Sequence, residues 1–289
     1  MLTTNAFHSL LENKPLVLDG ATGSNLMLAG MPRGCCAEQW ILENPEALVQ
    51  LQRNYAKAGS DIIYAPTFQA QPIALEKVGL EKQTESVNAA LVALSRSAAP
   101  GKLIAGDLTT LAAFTESWNP ENFDLMVENY RRQIRGLVDG GADLLVAETL
   151  MYPQEAEAIL TAAELENATC CMYSFTMQAS GILFSGMDAA PVLRELEQAG
   201  AAAVGFNCVA ADMMTPYLIS KLRRDVKGPL ICKPNAGNPI IGNDGIARYD
   251  MEPEAFAGIV KDCLEMGAKL VGGCCGTTPA HIEAVKNII

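Results

Sequence analysis

The chain has 289 residues, of which 49% are hydrophobic and 19% are charged, and its formal net charge at pH 7 is −12. This length and composition are typical of one globular domain with a large core. The sequence lacks both a basic stripe for nucleic acid and an apolar run of roughly 18 residues for a membrane, so we predict neither partner.

Eight short apolar segments recur along the chain and alternate with stretches that are typical of helices. Most of the segments are continuously apolar, which indicates parallel strands that are covered on both faces. In chain order they are residues 15–22, 61–68, 102–108, 143–149, 169–175, 202–208, 229–235 and 269–275.

Helix signals lie between these strands. A helix is predicted to begin at Asn44-Pro45-Glu46, with Asn44 as its N-cap, and to end at Gly59. Further helices are predicted after Asn119-Pro120-Glu121 (residues 123–138), from Asp188 to Gly200, over 251–266, and from Thr278-Pro279 to Ile289. Eight strand–helix repeats in this length predict an α/β fold, a single-domain (β/α)₈ TIM barrel over residues 1–289.

The polar residues of interest fall where the predicted strands end. In a TIM barrel this edge carries the active site, so we expect these side chains to share one site. They are Asp19-Gly20-Ala21-Thr22, Thr67, Asp107, Glu148-Thr149, Asn207-Cys208, Asn235 and Cys274-Cys275.

Three of these residues, Cys208, Cys274 and Cys275, have the chemistry of metal ligands. Three protein thiolates around one point, with a fourth position open, are typical of a catalytic zinc site. Buried core cysteines are the other interpretation, but Gly272-Gly273 and Gly276 offer little bulk for a core.

The other cysteines are predicted to have different roles. Cys170, Cys171, Cys232 and Cys263 lie within predicted strands or helices and are expected in the core. Cys35–Cys36 lies in the first loop, where a second metal site or a redox pair is the alternative to a solvent-facing pair. Nine cysteines without a secretory signal indicate a reducing, cytoplasmic protein. Both histidines, His8 and His281, are predicted at the surface.

Two carboxylates, Asp19 and Glu148, end apolar strands and therefore need partners, because an unpaired buried charge is costly. A substrate ammonium, a lysine or backbone amides would serve, and the sequence leaves these alternatives open. The turn Gly20-Ala21-Thr22-Gly23 is of the kind that presents backbone N–H groups to an anion. Asn235 ends the seventh predicted strand on the same side.

With these residues, the chain closely resembles the homocysteine S-methyltransferase family. It is most similar to the homocysteine-binding barrel of cobalamin-dependent methionine synthase. The matching stretches are Leu18-Asp19-Gly20-Ala21-Thr22-Gly23-Ser24, Ala147-Glu148-Thr149, Gly205-Phe206-Asn207-Cys208, Lys233-Pro234-Asn235-Ala236-Gly237 and Gly272-Gly273-Cys274-Cys275-Gly276-Thr277-Thr278-Pro279.

The resemblance implies one Zn²⁺ per chain, held by Cys208, Cys274 and Cys275, with the sulfur of homocysteine as fourth ligand. The zinc-bound thiolate would accept a methyl group to give methionine, with no catalytic residue beyond the zinc site. The resemblance also implies that the amino-acid end of the substrate is held by Asp19, Glu148, Asn235 and the backbone at Gly20 and Ala21.

The methyl donor is less defined by the resemblance. The sequence differs from the one usual in the family at two places, the stretch Tyr64-Ala65-Pro66-Thr67-Phe68 and the loop 109–122. The chain ends 14 residues after Cys275, so we expect a methylcorrinoid to be carried by a separate protein, unless the chain is an excised domain. The alternatives are an S-methylmethionine- or betaine-type donor, another small thiol as acceptor, or a non-catalytic zinc- or thiol-binding subunit of a methyltransferase complex.

Overall fold

A computed structural model describes residues 1–112, 122–242 and 247–289. The predicted helix start at Asn119-Pro120-Glu121 and most of the loop 109–122 lie outside the described residues. The described strands are β1 (Leu16–Val17), β2 (Ile62–Tyr64), β3 (Leu103–Thr109), β4 (Leu144–Leu150), β5 (Cys171–Phe175), β6 (Ala203–Ala210), β7 (Leu230–Asn235), β8 (Ile240–Ile241), β9 (Ala247–Arg248) and β10 (Ala268–Val271).

Eight of these strands form one parallel sheet in the order β1-β10-β7-β6-β5-β4-β3-β2. Contacts between the two edge strands bring the sheet close to a ring. The backbone N–H of Asp61 donates to the carbonyl of Val17 at 2.7 Å, and the N–H of Tyr64 donates to Asp19 Oδ2 at 2.8 Å. The predicted single-domain (β/α)₈ TIM barrel is therefore confirmed, and β8 and β9 form a small antiparallel hairpin beside it.

Helices surround this barrel. They are α1 (Thr4–Leu11), α2 (Gly23–Leu28), α3 (Ala37–Glu43), α4 (Pro45–Ala58), α5 (Pro72–Leu75), α6 (Thr84–Ala98), α7 (Phe123–Asp139), α8 (Pro153–Leu165), α9 (Ala189–Gln198), α10 (Thr215–Arg223), α11 (Pro253–Glu265) and α12 (Pro279–Lys286). Within the described part of the chain, no helix combines the length and apolar character that a membrane crossing needs.

Local signals account for several helix ends. Gly59 ends α4 with φ of +108°, a left-handed conformation that glycine adopts without strain, and Asp188 caps α9 by accepting from the N–H of Ala190. Asn44 occupies the N-cap position of α4, as predicted, but its side chain makes no capping hydrogen bond to that helix. Its Nδ2 donates to the carbonyl of Trp40 at 2.9 Å, so this side chain satisfies the end of α3 instead.

Tertiary packing also overturns one histidine prediction. His281 is buried, because its Nδ1 lies 3.0 Å from Thr278 Oγ1 at the start of α12 and its Nε2 lies 2.9 Å from the carbonyl of Met251. His8 is half-buried, with Nε2 2.8 Å from the carbonyl of Ala202. Both rings thus meet backbone carbonyls from distant parts of the chain.

The core has two layers, one between the strands and the outer helices and one inside the barrel. Cys170, Cys171, Cys232 and Cys263 are buried in these layers, as predicted. Helix α1 inserts Phe7 and Leu11 into the inner layer, and the N–H of Leu2 donates to the carbonyl of Asp143, which precedes β4. The chain's first helix therefore covers the N-terminal ends of the strands and leaves the C-terminal ends open for a site.

Close approach of β6 and β7 requires glycine at position 205. A Cβ there would collide with the backbone of Ile231, whose nitrogen would lie 2.7 Å away. We expect Gly205→Ala to lower the free energy of unfolding by about 2–4 kcal/mol in urea denaturation. Gly258→Ala in α11 is the control, since a Cβ there meets no atom within 4 Å and should stabilise the helix by roughly 0.5–1 kcal/mol. Equal effects at the two positions would contradict this explanation.

Candidate functional site

Three cysteine sulfurs meet at the C-terminal ends of β6 and β10. Cys208 Sγ lies 3.2 Å from Cys274 Sγ and 3.8 Å from Cys275 Sγ, and all three sulfurs lie within 4.8 Å of one another. A tetrahedral metal with bonds of ~2.3 Å holds its sulfur ligands roughly 3.8 Å apart. The spacing of the three sulfurs therefore fits a single metal ion.

The backbone at Cys208 and at Cys274 has features that hold these two residues in place. Cys208 has φ of +57°, in the left-handed region that side chains disfavour, and the pairing of β6 with β7 shifts register between Asn207 and Ala210. The loop after β10 is held by the N–H of Cys274, which donates to the carbonyl of Pro234 at 2.7 Å. Strained backbone kept by its surroundings is a feature that proteins concentrate at functional sites.

The three thiols perturb one another electrostatically. Hydrogen bonds from Cys208 and Cys274 lower the pKa of Cys275, because they stabilise its thiolate. The hydrogen bonds that Cys208 makes with its two neighbours instead raise the pKa of Cys208. A cluster that already favours a thiolate is well suited to a soft cation.

The side chain of Asn207 links this cluster to two neighbouring strands. Its Oδ1 accepts from the N–H of Thr149 at 2.8 Å and from Ser174 Oγ at 3.0 Å. Its Nδ2 donates to Thr149 Oγ1 at 2.7 Å and lies 3.8 Å from Cys274 Sγ. Thr149 also has a left-handed φ of +59°, so one buried amide holds two strained strand ends in place.

Beside the sulfurs lies an acidic cluster, which we define as Asp19, Asp107, Glu148 and the lysine that faces them, Lys233. All four side chains are buried. Lys233 Nζ lies 3.3 Å from Glu148 Oε2, 3.9 Å from Asp19 Oδ1 and 4.6 Å from the centre of the Tyr64 ring. Of the alternatives left open for Glu148, the structure thus contains the lysine, and Asp19 also accepts from a backbone N–H.

Burial has the largest effect on the pKa values of the three carboxyl groups in this cluster. It raises the pKa of Asp19 to about 7 and that of Glu148 to about 6, although Lys233 opposes both shifts. Burial also raises the pKa of Asp107, and Glu148 adds to that shift. Asp107 Oδ1 has no hydrogen-bond partner among the described residues. Three carboxyl groups with raised pKa values face one ammonium, so the cluster can take up protons or a further cation.

One cavity of about 770 Å³ contains both features. Its inner part is lined by the three cysteines and the acidic cluster, and it opens at the C-terminal ends of the strands. Its outer part reaches the loops after β1 and β2, where the lining includes Met27, Cys35, Cys36, Glu38, Phe68 and Lys77.

The family profile described as homocysteine S-methyltransferase matches residues 16–289, nearly the whole chain. The chain belongs to the homocysteine S-methyltransferase family. It is 27% identical over 303 residues to a methionine synthase of Mycobacterium tuberculosis. That match covers 96% of this chain and 25% of the relative, so the chain spans about a quarter of the relative's length.

Solved structures agree with this membership of the homocysteine S-methyltransferase family. The metallated form of the homocysteine methyltransferase MmuM from Escherichia coli is 27% identical, with a TM-score of 0.81 over 96% of this chain and 98% of that one. Its oxidised form has a TM-score of 0.82 over 97% and 98%. A methyltransferase from Methanosarcina mazei, 14% identical with a TM-score of 0.65, shares the fold.

The predicted substrate-binding residues have different environments in this family member. Asp19, Gly20, Ala21 and Glu148 line the cavity, but the N–H of Ala21 already donates to Thr277 Oγ1 at 3.1 Å. Asn235 is buried and is not among the described residues that line the cavity. Their roles toward a substrate, like those of the three cysteines toward a metal, stay predictions.

The first-loop pair behaves differently from the cysteine trio. Cys35 Sγ donates to the carbonyl of Pro32, whereas Cys36 Sγ donates to Glu38 Oε2. Among the described residues, neither thiol belongs to a group of three metal-ligating side chains. The second-metal interpretation therefore gains no support from the described part of the chain.

The sequence predicted Asn207 and Asp107 at the shared site without a role for either, as the structure confirms, and did not predict Lys233 there. Lys233 follows Leu230-Ile231-Cys232 inside a buried strand, and a charge in such a position is the signal that marks it. Asp107 likewise lies within the apolar strand β3. Asn207 directly precedes Cys208, a predicted metal ligand, but the four contacts of its side chain are visible only in the folded structure.

We expect Asn207→Ala to weaken metal binding by about 10- to 100-fold, the usual effect of losing a group that orients metal ligands. The amide of Asn207 contacts Cys274 and also holds Thr149 at the end of β4. The substitution removes both contributions. Competition with a chromophoric metal chelator measures the affinity. Ser174→Ala is the matched control, because it removes one contact to Asn207 and leaves the others. Unchanged metal affinity in Asn207→Ala would overturn the assigned role.

Proposed function

We propose that residues 1–289 form a zinc-dependent S-methyltransferase that methylates the sulfur of homocysteine to give methionine. The observation that carries the proposal is the meeting of three cysteine sulfurs at the inner end of a cavity, beside a buried acidic cluster. Membership of the homocysteine S-methyltransferase family supports the acceptor, and the metallated form of a 27% identical relative supports the metal. A reducing cytoplasm suits a site that needs free thiols.

The cysteine trio fits zinc in its donor set as well as its spacing. Cys208, Cys274 and Cys275 would hold the ion, with the cavity on the remaining side. When bound, zinc supplies a positive charge that keeps a thiol deprotonated near neutral pH. Asn207 keeps Cys274 oriented through its amide contact.

The acidic cluster would hold the amino-acid end of the acceptor. Glu148 and Asp19 lie at the strand ends next to the cysteines, and the cluster has more carboxylates than cations. An ammonium in this position fixes the acceptor's sulfur relative to the trio, so binding energy is used for orientation. The sulfur's electron pair then forms the bond to the methyl carbon. The bond between that carbon and the donor breaks, and its electron pair stays with the donor.

The donor that we propose is a methylcorrinoid carried by a separate protein. The resemblance to the barrel of cobalamin-dependent methionine synthase supports this choice. The cavity supports it as well, since its outer part extends to the first two loops, beyond what a small amino acid fills. An S-methylmethionine- or betaine-type donor is the alternative.

Purified, zinc-loaded protein tests the function directly. Homocysteine is incubated with free methylcobalamin, S-methylmethionine or betaine in parallel, and methionine is quantified by mass spectrometry. Methionine from methylcobalamin is the expected result. Methionine from S-methylmethionine or betaine alone would replace the corrinoid donor. Homocysteine binding without product from any donor would indicate a non-catalytic binding subunit, and no binding would overturn the proposal.

A further inference from the structure

Lys233 brings a fixed positive charge into the part of the cavity that receives the acceptor. It lies within β7 and is buried, and it lines the same cavity as Glu148 and the cysteines. Its ammonium lies 3.3 Å from Glu148 and 3.9 Å from Asp19. These are the two carboxylates to which a substrate ammonium would be assigned.

The surroundings keep this lysine charged. Burial lowers the pKa of Lys233, but the negative charges of Glu148, Cys274 and Asp19 outweigh burial and raise that pKa above its ordinary value. The Tyr64 ring, 4.6 Å away, adds a face that attracts cations. A substrate ammonium therefore enters a subsite that already contains one.

We infer that Lys233 is a specificity-determining residue, which reduces the preference of this site for thiol acceptors that carry an ammonium group. The inference rests on the proposed function, because it concerns the acceptor of that reaction. Lys233 pairs with Glu148 and so weakens the attraction of this carboxylate for a second cation. It also repels a like charge placed beside it. Acceptors that differ only in the amino group should thus bind with similar affinity.

A purely structural role for Lys233 predicts the opposite response to its removal. If the lysine only arranged the carboxylates, its loss would weaken the binding of an ammonium-bearing acceptor. If it competes with that ammonium, its loss strengthens the binding. The sign of the change separates the two roles.

The test compares homocysteine with 4-mercaptobutanoate, which lacks only the amino group. Calorimetry on zinc-loaded protein gives the two dissociation constants and their ratio. Wild type is expected to prefer homocysteine by less than about tenfold, and Lys233→Met by at least about tenfold more than wild type. Lys77→Met is the matched control, since Lys77 also lines the cavity but lies in the connection after β2. Its ratio should equal that of wild type.

The outcomes separate this inference from the proposed function. If neither thiol binds to wild type, the proposed function fails. If both bind but the ratio for Lys233→Met is unchanged or falls, the specificity role is overturned while the function stands. If Lys233→Met does not fold, as judged by thermal unfolding, the wild-type ratio still decides, because a preference for homocysteine above about tenfold contradicts the inference.

Discussion

Cys208→Ala is expected to reduce zinc affinity by more than about 100-fold and to abolish methyl transfer. It removes one of three thiolates, whereas losing a mere outer-shell partner already weakens metal sites by 10- to 100-fold. The left-handed φ of +57° at this position then has no metal bond to offset its cost. Metal content after dialysis against a chelator, with methionine formation in parallel, measures both effects. Cys274→Ala and Cys275→Ala should behave alike.

The controls for this experiment are two cysteines outside the trio. Cys35→Ala changes an exposed thiol that lines the outer cavity, and Cys263→Ala changes a core thiol in α11. We expect full zinc content in both, with some loss of stability in the second because a core cysteine leaves a small void. Full zinc content in Cys208→Ala would exclude this residue as a ligand.

Glu148→Gln is expected to retain zinc and to weaken homocysteine binding by roughly 1.5–3 kcal/mol, the range for a hydrogen bond to a charged group. The substitution keeps the size of the side chain and removes its charge. Lys233 then loses its closest carboxylate, at 3.3 Å, and its charge opposes the acceptor's ammonium more strongly. Calorimetric titration with homocysteine measures the change as a 10- to 150-fold rise in dissociation constant.

Two comparisons define what the Glu148 result means. The binding of 4-mercaptobutanoate should be nearly equal in wild type and Glu148→Gln, because this thiol lacks the group that Glu148 would contact. Glu38→Gln changes another buried carboxylate of the cavity, which accepts from the N–H of Gln69 at 2.7 Å, and should leave homocysteine affinity unchanged. Loss of zinc in Glu148→Gln, or unchanged homocysteine affinity, would make Glu148 a structural residue.

The arrangement of charges suggests how the site combines binding with selectivity. The cysteine trio offers negative charge in the inner part of the cavity, and the acidic cluster beside it offers more. Lys233 pairs with Glu148 and Asp19, and the raised pKa values of the three carboxyl groups let protons balance part of the remaining charge. A zwitterionic thiol, a metal ion and protons are the species that such a cavity can accept without leaving charges unpaired.

The sequence alone determined the barrel and the place of the site. Apolar runs of seven or eight residues, separated by helix signals, are local features whose meaning does not depend on distant contacts. Because parallel strands point the same way, residues at their C-terminal ends must meet at one edge. The approach of Cys208 to Cys274 and Cys275 follows from that rule alone.

Tertiary structure decided what each polar side chain contacts. Lys233 meets Glu148 across the barrel interior, and this pairing depends on strand register and side-chain direction, which no local pattern specifies. Asn207 reaches Thr149 and Cys274 for the same reason, and buried His281 meets the carbonyl of Met251, 30 residues before it in the chain. Strand formation is a property of short segments, whereas hydrogen bonds between segments far apart in sequence exist only once the chain has closed.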